Sequence, residues 1–468
     1  MAYVIRRLND WLLAGTMALL AGCAHYSPQP LCPEKTAAEF EGRRLDDAGL
    51  RTFMARNGGA LTSWPLAKWE LNSLTLAAFY FHPDLAVARA QWEVAEAGVA
   101  TAGARPNPSV TFSPAYDNQI PNNPSPWILP VTFDIPLETA GKRGKRMAEA
   151  EKAAESARWG YVSAAWQIRS GVRASLLDLA LAGRRAELLQ QQFDLQTNLV
   201  RLMEGRYRAG AIARPELTLA EIAWHKTQMD LGDARAKQAD ARGRLAQALG
   251  VGVAALDGVD LDFDFEAPAT LTSADARGLA LRGRADILGA LADYAAADAE
   301  LRLQLAKQYP DLHLGPGYAW NNGNAGDNQW SLGVTLELPI LDQNQGPIAE
   351  AEARRRLAGA KFLALQAEIR GQIDRAVAAV RMAREQIEQS AQLEAAEAQQ
   401  EKSVRAQLEA GAGDHLDLLS VQLESASARL AELENEEKLQ TSLGALEDAL
   451  QEPADALAKV IASMPAKM

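Results

Sequence analysis

The sequence predicts a mostly helical protein with a small β part, built from two tandem copies of one unit. Three observations support this fold class. Landmark residues recur in the same order at one spacing, and four short segments alternate apolar with polar side chains. Two long stretches, 144–207 and 348–409, contain no proline and few glycines, which is typical of very long helices.

The composition excludes several classes of protein. The 468 residues carry a formal net charge of −12, and an acidic chain lacks the basic face that nucleic-acid binding requires. Hydrophobic residues make up 48% and charged residues 23%, which argues against disorder. Two cysteines are too few for a disulfide scaffold or a cysteine-based metal cluster. Because no catalytic triad, cofactor loop or multi-histidine site is evident, we expect neither an enzyme nor a bound cofactor or metal.

The N-terminus has the pattern of an export signal. Arg6 and Arg7 precede an apolar run of eleven residues, 11–21. This run is too short to span a bilayer but fits a secretory signal peptide over 1–22. No later stretch reaches eighteen consecutive apolar residues, so no transmembrane helix is predicted after the signal.

The signal ends in Leu-Ala-Gly-Cys, which resembles the lipobox of bacterial lipoproteins. That resemblance implies lipidation of Cys23, and Ala24 after it implies sorting to the outer membrane. The alternative is an ordinary signal peptide with Cys23 paired to Cys32. Residues 23–64 are predicted to form a lipid-anchored extended segment.

The body of the chain is a tandem repeat. Asp84 and Pro108 lie 24 residues apart, as do Asp286 and Pro310, at an offset of 202. Other landmarks keep this spacing to within one residue, which two unrelated domains would not do. The predicted boundaries are a first repeat over 65–250, a linker over 251–272, a second repeat over 273–451 and a C-terminal tail over 452–468.

Each repeat contains two predicted strands. Val131 and Phe133, for example, face away from Thr132, and such alternation over about 8 to 10 residues is typical of a tilted membrane strand. A soluble sandwich also alternates, but the small residues of the polar faces fit it poorly. The predicted strands are 109–117, 127–136, 311–320 and 329–338. Aromatic residues near their loop ends predict an interfacial girdle: Tyr116, Trp127, Trp320 and Trp330.

Four strands are too few to enclose a conducting pore, because the smallest closed membrane barrels have about eight. The free edges of the two hairpins must therefore pair with other copies of the chain. A cyclic homo-oligomer that shares one barrel is the simplest arrangement.

Long helices follow the strands. About 64 residues of α-helix rise ~95 Å, and a narrow apolar seam on an Ala-rich surface predicts a coiled-coil wall. Gly210 and Gly411 stand where the long helices end, as expected of glycine C-caps. The predicted helices are the long pair, 144–207 and 347–409, and the return pair, 215–249 and 415–450.

The ordered landmarks resemble those of the TolC-type outer membrane factors, the exit ducts of bacterial tripartite efflux pumps and type I secretion systems. The matching motifs are HPDL from His82, ARPNP from Ala104, PLETAGKRGKR from Pro136 and LPILDQNQGPIAEAEA from Leu338. The third is similar to the heavy-metal cation-efflux (Czc-type) branch. The resemblance implies a homotrimer with a shared 12-stranded transmembrane β-barrel and a helical periplasmic tunnel.

The same resemblance implies partners and a gate. The partners are a periplasmic adaptor, an inner-membrane transporter and outer-membrane lipid. Asp417 matches the acid that narrows the pore in this family, and Asp414 is a weaker candidate; both would otherwise cap the returning helix. Ser420 departs from relatives that carry a second acid there. The expected adaptor-docking residues, for which C-capping and seam packing are the alternative, are Gly210, Leu217, Gly411 and Leu418.

Two further features remain. His313 is expected to face the barrel lumen. A basic cluster at the barrel–helix junction, interpreted either as a collar that touches lipid phosphates or as a solvated face, consists of Lys142, Arg143, Lys145 and Arg146. The function expected is a passive outer-membrane exit duct, with heavy-metal cations favoured over drugs or other small molecules. A non-conducting, lipid-anchored periplasmic scaffold is the alternative.

Overall fold

The structure is a computed structural model that describes residues 26–57, 63–116, 127–263, 273–321 and 328–451. The predicted signal peptide, Cys23 and the C-terminal tail lie outside the described residues. None of the described helices is both long enough and apolar enough to cross a membrane.

The chain separates into two units, and the first ends at Arg43. Its described part contains helix α1 (Pro33–Glu41), which starts with proline in the first turn, where no backbone amide is needed. Cys32, just before this helix, is exposed and has a free thiol. The prediction of an extended segment over 23–64 is wrong, because α1 and a second helix, α2 (Ala48–Asn57), lie within it.

The second unit starts at Arg44 and contains the two repeats. Its remaining helices are α3 (Leu71–Phe81), α4 (Pro83–Ala102), α5 (Lys142–Arg208), α6 (Arg214–Leu249), α7 (Ser273–Gly283), α8 (Ala285–Ala306), α9 (Gln345–Glu409) and α10 (His415–Leu450). Its strands are β1 (Ser109–Phe112), β2 (Ala115–Tyr116), β3 (Trp127–Leu137), β4 (Leu312–Asn321) and β5 (Gln329–Leu336).

The five strands of the described residues form one antiparallel sheet in which the two hairpins are joined through β3 and β4. β1 and β2 both pair with β3 in one continuous register, so they are two halves of a single interrupted strand. Pro114 lies in the interruption, and proline has no amide to donate to a neighbouring strand. The outer edges of the sheet are therefore β1–β2 and β5.

The register aligns large apolar residues of neighbouring strands on one face. Phe112 pairs with Val131, and Val131 pairs with Tyr318. Tyr318 pairs in turn with Trp330, which is 84% exposed. The opposite face carries small and polar side chains such as Thr132. A sheet with a wide, uncovered apolar face marks a surface that meets lipid or another protein.

The helical part is dominated by α5 (67 residues) and α9 (65 residues), each about 100 Å long. α5 packs against α6 and α10, and α10 packs against α9. Apolar residues at helical spacing on α9 form the buried seam between them, including Ile369, Ile373 and Val380. The fold class expected from the sequence, mostly helical with a small antiparallel sheet, is confirmed.

The main core lies where α3, α4, α5 and the end of α6 meet. Leu74, Leu176 and Leu249 are completely buried there. The described part of the predicted linker contributes to the same region: a short 3₁₀ turn (Val253–Leu256) follows α6, and Leu261 forms a bridge with Trp69.

Candidate functional site

Each long helix ends in the same tight turn. The amide of Gly210 donates to Tyr207 O (3.0 Å), and the amide of Ala211 donates to Arg206 O (2.8 Å). Gly210 and Gly411 have φ angles of +72° and +75°, a conformation that favours glycine. The two bonds are those of a Schellman cap, and the turn at Gly411 repeats them.

An ion pair connects the tips of the two repeats. Nη2 of Arg206, in the last turn of α5, donates to both carboxylate oxygens of Asp414, at 2.6 Å to Oδ1. Oδ1 also accepts from the amide of Leu416 (3.1 Å) and so caps α10. The hydrogen bond from Arg206 and this cap hold the pKa of Asp414 below its usual value. The sequence reasoning missed Arg206, which lies 208 residues away from its partner.

The other tip residues differ in exposure. Asp417 lies exposed in the first turn of α10, where a carboxylate interacts favourably with the helix dipole. Leu418, next to it, is half-buried. Leu217 in α6 is only 2% exposed, whereas Gly210 and Gly411 are at the surface.

The basic cluster at the sheet–helix junction holds the end of α4. Arg143 Nε donates to Gly103 O (2.6 Å), while Arg146 donates to the carbonyls of Ala102 and Ala104 (both 3.2 Å). These carbonyls lie at a helix C-terminus, where they lack amide partners within the helix. The two guanidinium groups therefore fix α4 against the start of α5.

The rest of the cluster joins the two repeats. Lys142 is buried and forms an ion pair with Asp311 (2.8 Å), which also accepts from the Thr139 amide (2.8 Å). Burial would raise the pKa of Asp311, but the bonds from Lys142 and Thr139 outweigh it and lower this pKa. Lys145 Nζ donates to Ala140 O (2.8 Å). Since these donors all contact protein acceptors, the cluster braces the junction.

A buried ionic group lies in the helical wall, between α5 and α10. Glu447 accepts from both Arg169 and Arg173, the second at 3.2 Å, and both arginines are almost fully buried. Arg173 also donates to Gln440 O (3.1 Å). Glycine at position 444 leaves room for Arg173 where it lies, because a Cβ there would be 2.2 Å from a terminal nitrogen of the guanidinium.

A sequence signal for this group exists. Val162, Trp166, Arg169, Arg173 and Leu176 follow one another at spacings of four and three residues, which places them on one helix face. Two arginines on an otherwise apolar seam require an acidic partner, since an unpaired buried charge is very costly. The pattern predicts an acid on a facing helix but cannot say which.

A cavity of about 580 Å³ lies beside this group, and two of its lining residues belong to a polar helix junction. Arg284 donates to Ala449 O (2.7 Å), and Gln451 accepts from the Ala285 amide (3.0 Å), so the end of α10 is tied to the start of α8. Burial raises the pKa of Asp448, which also lines the cavity.

On the polar face of the sheet, His313 lies beside Asp134 of the other repeat, with Nδ1 3.0 Å and 3.1 Å from the two carboxylate oxygens. The polar face is the one that the sequence assigned to His313, and the sequence reasoning missed Asp134 as its neighbour.

Comparison with known proteins identifies related sequences. The profile of the outer membrane efflux protein family matches residues 79–251 and 276–451. The cobalt-zinc-cadmium resistance protein CzcC of Cupriavidus metallidurans is 25% identical over 232 residues, which cover 50% of this chain and 55% of that protein. The match thus spans about half the length of this relative.

Two solved structures have a similar fold. CusC superposes with a TM-score of 0.66 at 18% identity, covering 81% of this chain and 91% of that chain. The outer membrane protein VceC of Vibrio cholerae gives 0.66 at 20% identity, covering 81% and 95%. At these identities the likeness is one of fold.

Proposed function

The chain belongs to the outer membrane efflux protein family, and from this membership we propose that it forms a trimeric outer-membrane channel, the passive exit duct of a tripartite efflux pump. An inner-membrane transporter and a periplasmic adaptor would deliver the substrate. Cys23, after lipidation, would anchor each copy in the outer membrane.

The observation that carries this proposal is the pair of faces on the sheet. One face is apolar from β1 to β5 and exposed at many positions, with Leu332 and Trp330 among its most exposed residues. The other face has small and polar side chains. This combination suits a sheet whose apolar face meets lipid and whose polar face lines water. Both edges, β1–β2 and β5, have free backbone groups that a second copy could pair with.

We place the gate at the tips of the helices. The ion pair between Arg206 and Asp414 fixes the two tips relative to each other, and the exposed Asp417 would form a ring of three carboxylates in a trimer. Such a ring would attract cations at the inner end of the duct.

The same tips would dock the adaptor. The turns at Gly210 and Gly411 are the surface that a partner would meet first, together with Leu418. Leu217 would contribute by supporting the first turn from below, since it is buried within the chain.

The proposed cargo is heavy-metal cations. Support comes from the similarity to a protein named for cobalt, zinc and cadmium resistance, and from the acidic residues at the tip. Deletion of the gene should raise sensitivity to zinc, cobalt or cadmium; sensitivity only to antibiotics would contradict the metal assignment and favour a drug cargo.

Planar-bilayer recording on the purified protein tests the duct. We expect conducting trimers, and we expect Asp417→Ala to increase the open fraction, with Ser420→Ala on the same helix turn as the matched control. Breaking the Arg206–Asp414 pair by Arg206→Ala should shift the closed–open equilibrium modestly toward the open state, because the pair is partly exposed and screened by water. A protein that Cys23→Ala releases from the membrane and that conducts no current would be the scaffold instead.

A further inference from the structure

The structure assigns a weak binding site for a divalent transition-metal cation to His313, oriented by Asp134, on the polar face of the sheet. The site is separate from the acidic tip and the helix junctions. That the site faces a water-filled channel rests on the proposed function. The ability of His313 and Asp134 to bind a cation does not depend on that function.

The geometry of the pair defines which imidazole nitrogen is available. Nδ1 of His313 lies within hydrogen-bonding distance of both oxygens of Asp134, and an ionised carboxylate can only accept. The neutral ring therefore carries its proton on Nδ1, and the lone pair of Nε2 is left for another partner. Histidines that bind metal ions in proteins usually have this arrangement: one ring N–H donates a hydrogen bond to a carboxylate, and the other ring nitrogen binds the metal.

The surroundings leave space for a cation. The side chains of His313 and Asp134 are 40% and 48% exposed. The next pair on the same face of β4 and β5 is Gly315 with Gly333, so no side chain of these two strands stands beside the ring on that side. Thr335, the cross-strand partner of His313, brings a hydroxyl group to the same face, and its oxygen could support a bound water.

The inferred affinity of the His313 site for a metal cation is low. A low affinity is compatible with a channel through which ions pass. Among the described residues, no group of three or more His, Cys, Asp and Glu side chains is arranged to hold a metal ion. One imidazole nitrogen with water as the remaining ligands binds zinc, cobalt or copper only weakly. A site along a conduction path must release its ion as readily as it takes it up, so a single-histidine site is suitable there.

The assignment is tested by measuring zinc binding to the detergent-solubilised trimer. Equilibrium dialysis or calorimetry with Zn²⁺ alone gives the number of sites and their affinity. We expect His313→Gln to remove one site per chain and Asp134→Asn to weaken it about 10- to 100-fold, as for other outer ligands of metal-bound histidines. His225→Gln and His415→Gln are matched controls that should leave this site intact.

Unchanged zinc stoichiometry and affinity in His313→Gln would overturn the assignment, as would a wild-type protein that binds no zinc. Asp134→Asn keeps the size of the side chain, so it remains informative if His313→Gln does not fold; a zinc affinity equal to that of the wild type would count against the site. Because binding is measured without a bilayer, a wild-type protein that conducts but binds no zinc refutes only this inference. Zinc binding without conductance refutes only the duct.

Discussion

The two repeats share one backbone plan but fill the same junction in different ways. In the first repeat, where α6 meets α4, Gly250 lies against the backbone of His82, and Leu74 is fully buried in the core to which this junction belongs. The position equivalent to Leu74 in the second repeat is Ala276, and the positions equivalent to Gly250 and His82 are Gln451 and Arg284.

The second junction is therefore polar. Arg284 and Gln451 tie α10 to α8 by hydrogen bonds, and the cavity of about 580 Å³ lies beside them. A duplicated helix junction can thus be stabilised either by apolar packing or by a network of ionic groups. The two solutions should respond differently to substitution, because packing and buried charge have different energetic costs.

The largest effect is expected at Glu447, whose equivalent in the first repeat is the buried Ala246. Glu447→Gln leaves the charges of Arg169 and Arg173 without their carboxylate and should destabilise the protein by about 3–5 kcal/mol. Asp374→Asn, which breaks an exposed pair with Arg277, should cost less than about 1 kcal/mol. Thermal unfolding followed by circular dichroism compares the two; equal losses would show that the group in the wall is not effectively buried.

The packing of the first junction should be nearly as sensitive. Leu74→Ala gives this position the side chain that the second repeat has at Ala276, and it should cost about 2–5 kcal/mol by leaving a cavity. The reverse change, Ala276→Leu, overfills a buried position and should cost about 1–3 kcal/mol. Denaturant unfolding of both variants measures this; a neutral Leu74→Ala would mean that the first junction can collapse around a smaller residue.

Alanine substitutions at Gly250 and Gly210 distinguish the stability cost of the backbone conformation from the cost of close packing. Both have φ of +72°, but a Cβ at Gly250 would lie 2.8 Å from His82 Cα, whereas nothing lies within 4 Å at Gly210. Gly210→Ala should cost about 1–2 kcal/mol from the left-handed conformation alone. Gly250→Ala should cost distinctly more, as melting temperatures of the two variants would reveal. Equal shifts would contradict the close contact between α6 and α4.

The smallest effect is the pH dependence of two carboxylates with opposite shifts. The lowered pKa of Asp311 adds stability that is present above the ordinary aspartate pKa of about 4 and is lost as the pH falls through the lower, folded-state value. The raised pKa of Asp448 adds stability that is present at low pH and is lost as the pH rises through its folded-state value.

Melting temperatures between pH 3 and 7 therefore test whether the two carboxylates change the stability in opposite directions. As the pH falls, the advantage of the wild type over Asp311→Asn should shrink, while the wild type should gain relative to Asp448→Asn. Parallel pH profiles for both variants would rule out different environments for the two carboxylates.

Local patterns in the sequence account for much of this architecture. The repeat, the long helices and the alternation of the strands depend on spacing within one segment, and Gly210 and Gly411 are where a helix needs a left-handed residue to end. The N-terminal segment was mispredicted as extended, because α1 and α2 are too short to give a strong periodic signal.

The sites depend instead on contacts between distant segments. Arg206 with Asp414, Asp134 with His313 and Lys142 with Asp311 each join one repeat to the other. The residue types could be seen in the sequence, and two arginines on the seam of α5 even required an acid. Which acid lies opposite depends on how the helices stack.

The duplicated unit, the lengths of its helices and the apolar face of each strand can be predicted from the sequence, because they follow from residue order within one element. The folded structure was needed to show that β3 pairs with β4, that Glu447 contacts Arg169 and Arg173, and that the basic cluster braces the junction. Such pairings depend on packing between elements that lie up to about 280 residues apart, and no local periodicity encodes that distance.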